Sequence, residues 1–494
     1  VSGTVSFQQI PQNLRLPLFY AEFNNSNANS APQSQRGLIV GQLLGTAAVF
    51  PGLPVLVQGD GREQFGSDSM LARMVRTWRA NDSFGELWAL PVADPAAGVA
   101  ATGTITVNAP ATAAGTLSLY VADVLVPVAI SPTQAVGDVA NAIAAAITAA
   151  PYVPVTATAA AGVVTLTCVH KGAIGNDIDV RLNYQGAPGG EFVPAGLTIN
   201  IAAMSGGTGV LAAELDDAYA NLSDKAFDFI ANPYTDATAL TSGRTFMASR
   251  WAWNQQQYGE VFSAVRGTVG ALNTFGAAQN DPHISFMGFN DSPSPVWAWA
   301  AAYAGASAVS LRADPGLPLQ TVALNDVLAP PVQSRFASTD RNALLFDGIS
   351  TFTVGDDNSV AIETAITSYQ KDAYGDPDDS YLYVERLATL AYVVRYLRTA
   401  IQSTFGRCKL VDDGTNLRPG VAAVTPSVLK AFIVGRYRVL EGLGMVQDSA
   451  AFAKALVVQR NSANRCRIDG ILPIVPVDQL RQVAALIAFQ NSTG

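Results

Sequence analysis

The sequence predicts an α/β core that is interrupted by a β-rich insertion and followed by an α+β C-terminal region, with extended segments at both chain ends. Three observations carry this expectation. Short apolar runs alternate with amphipathic helical stretches from residue 36 to 90 and again from 210 onward, as in βα units around a mostly parallel sheet. Between these two stretches lies a segment rich in Thr, Val, Ala and Gly, poor in charge and dense in strand-like runs. At each end, an apolar or alternating segment is set off by a polar linker or by prolines.

Residues 1–30 read as an N-terminal arm. Val5, Phe7 and Ile10 belong to a strand-like stretch in which Val5 and Phe7 alternate with Ser6 and Gln8. Pro11 and Pro17 break it, and residues 24–32 have the Asn/Ser/Ala composition of a linker. A strand on such a tether has to pair with a sheet edge elsewhere, including one on another molecule. The core is expected over 31–93 and 210–379. Its strands are placed at 37–40, 54–58, 87–92, 227–231, 261–265 and 284–289. Its helices are placed at 211–222, 238–257 and 295–309, with a further one capped by Ser67 and running to about Arg79. Shorter strands over 335–354 close this part.

The insertion, 94–209, is expected to fold on its own as an outer domain. Its strands are placed at 102–108, 115–121, 155–160, 163–169, 177–182 and 197–202, with one helix at 133–148. The C-terminal domain, 380–473, begins with a long helix to about Phe405. A second helix follows, capped by Ser427, and then a hairpin of 455–460 with 465–474. Pro473 and Pro476 set off a C-terminal arm, 474–494.

Composition narrows the function classes. Of 494 residues, 49% are hydrophobic but only 14% are charged, which leaves much surface suited to contact with another subunit. No run approaches the ~20 strongly apolar residues that span a bilayer, so no membrane insertion is expected. The first ten residues are polar and alternating, unlike a secretory leader. The net charge of −9 argues against direct nucleic-acid binding. That charge is uneven: residues 385–481 hold 14 Lys and Arg against 7 Asp and Glu, a net of about +7 on an acidic chain.

Candidate chemistry is sparse. His170 and His283 are the two histidines, Cys168, Cys408 and Cys466 are scattered, and no G-x-S-x-G elbow occurs. No catalytic site, metal or cofactor is expected. His283 reads as a turn or core residue and His170 as a surface one. Gly207-Thr208-Gly209-Val210-Leu211-Ala212 fits a dinucleotide-binding glycine pattern, but it reads better as a turn leaving the insertion. Asp372, Asp376, Asp378 and Asp379 lack calcium-loop spacing and are expected to favour the start of the following helix. The pairs Trp251/Trp253 and Trp297/Trp299 read as core or interface anchors. An α/β hydrolase-like or nucleotide-binding enzyme is the alternative class, and an adhesin or other binding protein built on the β-rich insertion a third.

The C-terminal stretch is the most specific part. Ala451-Phe452-Ala453-Lys454-Ala455-Leu456-Val457-Val458-Gln459-Arg460, then Asn464-Arg465-Cys466-Arg467-Ile468-Asp469-Gly470-Ile471-Leu472-Pro473, then Gln479 to Gln490, resemble the end of Mu-type contractile phage tail sheath proteins. Val5 to Pro11, Arg15 to Glu22 and the turn Ser205-Gly206-Gly207-Thr208 resemble other parts of that family. The resemblance implies a subtilisin-like core without protease function, an insertion facing outward and a C-terminal domain lining the tube. It implies a structural subunit that polymerises around the tail tube and contracts, with neighbouring sheath subunits, the tube protein, and the baseplate and tail terminator proteins as partners. It would be assembled in the host bacterial cytoplasm and end in the virion tail. It also implies terminal strands exchanged between subunits, for which Val5, Phe7, Ile10, Ile468, Ile471, Ile474, Val483 and Ile487 are candidates. Arg386, Arg395 and Arg398 on the first C-terminal helix, and Lys430, Arg436 and Arg438 on the second, are candidates to face the tube.

Overall fold

The computed structural model describes residues 35–45, 49–416, 418 and 420–488. The chain forms two compact units. The larger holds Gln35–Tyr392, Gly444–Gln447 and the segment from Val475 onward.

The larger unit is built on one sheet. Its first strands are β1 (Gly37–Gln42) and β2 (Val55–Leu56), followed by helices α1 (Arg62–Phe65) and α2 (Met70–Asn81), then β3 (Leu87–Val92). After the insertion come α4 (Ala212–Ala220), β11 (Phe229–Ala231), α5 (Ala237–Trp251), β12 (Glu260–Arg266), α6 (Val269–Ala277), β13 (Ile284–Phe289), α7 (Val296–Ala313), α8 (Ser338–Phe346), β14 (Ile349–Val354) and β15 (Val360–Thr364). The order across the sheet is β15-β14-β13-β12-β11-β1-β3-β2. The six strands from β14 to β3 are parallel, and antiparallel β15 and β2 close the two sides. A parallel sheet is covered on both faces, and β1 and β13 are accordingly buried at every position.

Packing beneath the sheet depends on small residues. In α7, Ala298, Ala300, Ala301, Ala302, Ala304, Ala306 and Ala308 are all buried, so the helix backbone can sit close to its neighbours, while Trp297, Trp299 and Tyr303 fill the larger spaces. Gly37 serves the same end, because a Cβ there would lie 2.3 Å from the Trp78 ring of α2.

Several local expectations shift. Ser69, not Ser67, caps α2, its Oγ accepting the Ala72 N–H at 3.1 Å. Strand 54–58 shrinks to two residues at an edge. The stretch 335–354 contains helix α8, whose nine residues show too short a periodicity to separate from strand by pattern. Helix α6 was likewise not expected.

The insertion contains β4 (Ala100–Ala109), β5 (Gly115–Val121), β6 (Val124–Ile130), α3 (Val136–Ala149), β7 (Val155–Ala160), β8 (Val163–Lys171), β9 (Val180–Leu182) and β10 (Thr198–Ser205). They make two antiparallel sheets, β10-β4-β8-β7 and β6-β5-β9. Strand β6 was not expected because Pro127 interrupts its pattern; it lies at a sheet edge, where a missing N–H is tolerated. The strand expected at 177–182 shortens to β9, and Asp177 instead ends a short 3₁₀ turn over Ala173–Asp177.

The insertion is tied to the core by buried polar contacts. Arg73 of α2, almost fully buried, pairs with Asp123 at 2.7 Å in the β5–β6 turn and with Asp326 of a core loop. His170 is buried rather than on the surface: its Nε2 accepts the Met70 N–H at 3.0 Å, leaving the ring proton on Nδ1, 3.1 Å from Asp94. Arg266 pairs with Asp177, and Tyr184 donates to the Ala329 carbonyl at 2.7 Å. The expected glycine turn is the return seam: the Gly207 N–H donates to Asn176 at 2.8 Å, and Thr208 bridges Val99. A Cβ at Gly207 would meet the Gly172 carbonyl at 2.6 Å.

The smaller unit holds Val393–Leu443 and Asp448–Ile474 among the described residues. Helix α9 (Val384–Phe405) begins in the larger unit and ends in this one. A minimal ribbon of β16 (Lys409–Leu410) and β17 (Ala423–Val424) leads to α10 (Pro426–Gly442), α11 (Ser449–Ala455) and the hairpin β18 (Val457–Arg460) with β19 (Ile468–Ile471). The cap of α10 is Thr425, with Pro426 in the first turn; Ser427, the expected cap, instead donates to Asp413 at 2.6 Å. Tyr437 and Phe452 stack at 3.7 Å and anchor α10 to α11.

The Arg73 pair sets a first test. Asp123→Ala should lower stability by about 3–5 kcal/mol, because it leaves a buried guanidinium short of a partner. The double variant Arg73→Met/Asp123→Leu should recover most of that loss in urea unfolding. Replacing residues 94–209 by a Gly/Ser linker should likewise yield aggregated protein, unless Arg73 and Arg266 are both changed to Met.

Candidate assembly surface

The unusual surface of the smaller unit is its hairpin. Strands β18 and β19 pair only with each other among the described residues, in the register Val457↔Ile471 to Arg460↔Ile468. Val457 and Ile471 therefore face each other, and both are exposed, Ile471 by 67%. A two-stranded ribbon has two free edges, each a row of unpaired N–H and C=O groups ready for another strand. Ile468 and Ile474 are half-buried. The free thiol of Cys466 is exposed in the loop between the strands.

The described part of the C-terminal segment is the second such surface. Residues 478–488 have no regular secondary structure. Val483 and Ile487 are 80% and 85% exposed, and Leu480 and Leu486 are 72% and 98% exposed. Four large aliphatic side chains in solvent on one short segment are a docking signal rather than scattered exposure. Val5, Phe7 and Ile10 lie outside the described residues.

The six basic candidates differ in their surroundings. Arg386 lies in the larger unit, 3.4 Å from Asp478, and its guanidinium also donates to the carbonyls of Asp379 and Ser380. Arg395 and Arg398 are half-buried on α9, and both are engaged in interactions. On α10, Lys430 and Arg436 are half-buried, Arg436 lies 4.9 Å over the Phe432 ring, and Arg438 is exposed.

The remaining candidates have structural roles. His283 stacks on Trp251 at 4.4 Å, and burial pushes its pKa down to about 4. Burial pushes the Cys168 thiol up to about 11. Trp297 and Trp299 are core residues, whereas Trp253 is 86% exposed. The acidic loop folds on itself instead of favouring α9: Asp372 accepts the N–H groups of Tyr374 and Asp376 at 2.8 and 3.0 Å, and Asp378 accepts that of Ser380 at 2.9 Å. Among the described residues no group of three or more His, Cys, Asp or Glu is placed to hold a metal ion, and no helix is long and apolar enough to cross a membrane.

Comparison with known proteins shows the family. Residues 208–368 match the family model of the phage tail sheath protein central domain, and residues 376–490 match that of the phage tail sheath C-terminal domain. The chain belongs to the family of phage tail sheath proteins, structural subunits rather than enzymes. It is 38% identical to the Mu-like prophage FluMu tail sheath protein of Haemophilus influenzae, over 98% of this chain and 99% of that one. Among solved structures it resembles the sheath tail protein Lin1278 from Listeria innocua, with TM-score 0.48 and 13% identity over 91% of this chain and 93% of that one. It also resembles the helical sheath of the anti-feeding prophage in its contracted state, with TM-score 0.46 and 14% identity over 97% and 100% of the two chains.

The buried histidine gives a pH test. On unfolding, the His283 ring returns to its ordinary pKa near 6.5, so the unfolded chain takes up the proton first as pH falls. Its contribution to stability is present above pH 6.5 and is lost on the way down to about 4. His283→Phe keeps an aromatic ring against Trp251 and should flatten this part of the pH profile, read as the urea midpoint at pH 7.5 and pH 5.

Proposed function

We propose that this chain polymerises around a tail tube as the contractile sheath of a phage tail, with neighbouring subunits joined by exchanged terminal strands. The observation that carries the reading is the hairpin β18–β19, with its free edges and exposed Val457 and Ile471. A lone hairpin is marginal in water, whereas strands added at its edges would pair its backbone and cover its apolar face. The exposed Val483 and Ile487 support the C-terminal segment as one donor. The alternation of Val5 and Phe7 with Ser6 and Gln8 supports the N-terminal arm as the other. Ile468, Ile471 and Ile474 fall to the acceptor side.

In this reading the subunit resides in the virion tail after assembly in the host cytoplasm. Its further partners are the tube, baseplate and terminator proteins. The insertion faces outward and the C-terminal domain faces the tube. The subtilisin-like description of the core rests on the family resemblance alone. Contraction re-packs compact bodies while the exchanged strands keep the mesh joined.

Removal of residues 1–17 should abolish tube-length polymers and leave a folded, soluble subunit, scored by negative-stain microscopy and circular dichroism. Polymers of normal length from the truncated protein would show that this arm is not a connector.

For the tube-facing charge we favour α10, because Arg386 is already paired with Asp478 and Arg438 is exposed. The triple variant Lys430→Glu/Arg436→Glu/Arg438→Glu should weaken tube-templated assembly and flatten its salt dependence while tube-free polymers still form. Arg386→Glu should act mainly on subunit stability. Unchanged tube binding in the triple variant would assign these charges to other contacts.

A further inference from the structure

The C-terminal segment changes character at one residue. Up to Arg481 it is sewn to the larger unit. The Gln447 N–H donates to the Val475 carbonyl at 2.9 Å, Val446 bridges Pro476, and the Val477 N–H donates to the Met445 carbonyl at 3.3 Å. Asp478 meets Arg386 as described above. The last tie is an ion pair. Arg481 Nη2 donates to Glu385 Oε2 at 2.8 Å, and the guanidinium lies 3.9 Å over the Tyr383 ring. Glu385 is fully buried at the start of α9, and its other oxygen accepts the Leu319 N–H at 2.7 Å. Beyond Arg481, residues 482–488 are all exposed.

We propose that Arg481 is the anchor of the C-terminal connector, fixing the point at which the chain leaves its own subunit. Residues 475–481 are then a stem belonging to the subunit, and only the chain from residue 482 onward reaches a neighbour. This rests on the strand-exchange reading and narrows it. The physical reason is the fully buried Glu385 carboxylate. The ties at residues 475–477 are backbone hydrogen bonds that water can replace, whereas withdrawing Arg481 strands a charge in the interior. Detachment therefore meets its steepest cost at Arg481, and the connector keeps a constant length while the subunit moves. The seven described residues past the anchor, 482–488, span about 23 Å when extended. Leu480 lies on the fixed side, so Val483, Leu486 and Ile487 are the side chains offered to the neighbour.

The test uses the full-length subunit and two readouts. In the unassembled protein, trypsin should cut after Arg481 slowly compared with the exposed Arg407. Glu385→Gln should speed cleavage after Arg481 by about tenfold while cleavage after Arg407 stays unchanged, because cleavage tracks the population of the open form. In assembled protein with Cys408 and Cys466 changed to Ser, the pair Ile471→Cys/Ile487→Cys should give a disulfide ladder between copies. Adding Arg481→Ala should weaken that ladder, and Arg481→Lys should keep part of it. Cleavage after Arg481 as fast as after Arg407 in the parent would overturn the anchor. So would equal acceleration at both sites in Glu385→Gln, which would mean general loosening. A protected Arg481 with no ladder in the parent would instead overturn the exchange reading.

Discussion

One guanidinium joins three separate pieces of the larger unit. Arg73 projects from α2 and is held by Asp123 from the insertion and Asp326 from a loop between α7 and α8. A buried charge of this kind adds little net stability over a well-packed apolar group, but it is unforgiving of displacement, since any shift that loses a carboxylate leaves the charge exposed to a low-dielectric interior. Its structural effect is to fix geometry. The two Asp residues both sit at positive φ, 67° for Asp123 and 63° for Asp326, so each tight turn is committed to presenting its carboxylate at this point. With Arg266–Asp177 and the Met70 N–H to His170 hydrogen bond along the same seam, the insertion is held against the sheet, and the two belong to one compact unit.

A rigid body shifts the burden of movement to connectors. A sheath subunit that keeps its neighbours through large rearrangement needs contacts that survive rotation of the bodies. Backbone pairing at a sheet edge suits this, because many hydrogen bonds form along one line and the strand can be reached through a short linker. The hairpin β18–β19 has the form such pairing requires: two strands of four residues each, in regular register, with exposed apolar side chains. The low charge of the chain fits the same picture, because surface that will be covered in an assembly has less need of charged groups.

The sequence displays what is periodic and local. Buried runs such as Gly37–Gln42 and Ile284–Phe289 announce strands, and the long apolar stripe of α9 announces a helix, because burial on a repeating element writes itself into neighbouring residues. The hairpin was legible for the same reason, whereas Val483 and Ile487 became candidates through the family resemblance. Contacts between distant residues leave no such trace. His170 looked like a surface residue because its partners are Asp94 and the Met70 N–H, 76 and 100 positions away. Arg481 looked like one more basic residue, and its partner Glu385 lies 96 positions earlier. Choosing Ser69 over Ser67 as a cap, or Thr425 over Ser427, depends on which hydroxyl reaches a free N–H, a matter of ångströms rather than of composition.

The uneven charge of the C-terminal region shows how far a count alone reaches. A net of about +7 over 385–481 reads as one basic surface, but the structure distributes those side chains over several jobs. Arg460 pairs with Asp412 at 2.6 Å, Arg467 with Asp469, Arg386 with Asp478, and Arg481 with the buried Glu385. Each carboxylate in the stretch is thus matched to a particular guanidinium or to a backbone N–H, as when Asp448 accepts from Ala451 to start α11. An exposed pair such as Arg467–Asp469 contributes little and weakens with salt, whereas the Glu385 pair is shielded from it. The same number of charges therefore divides into those paired within the subunit and those that stand in solvent, as Arg438 does on α10.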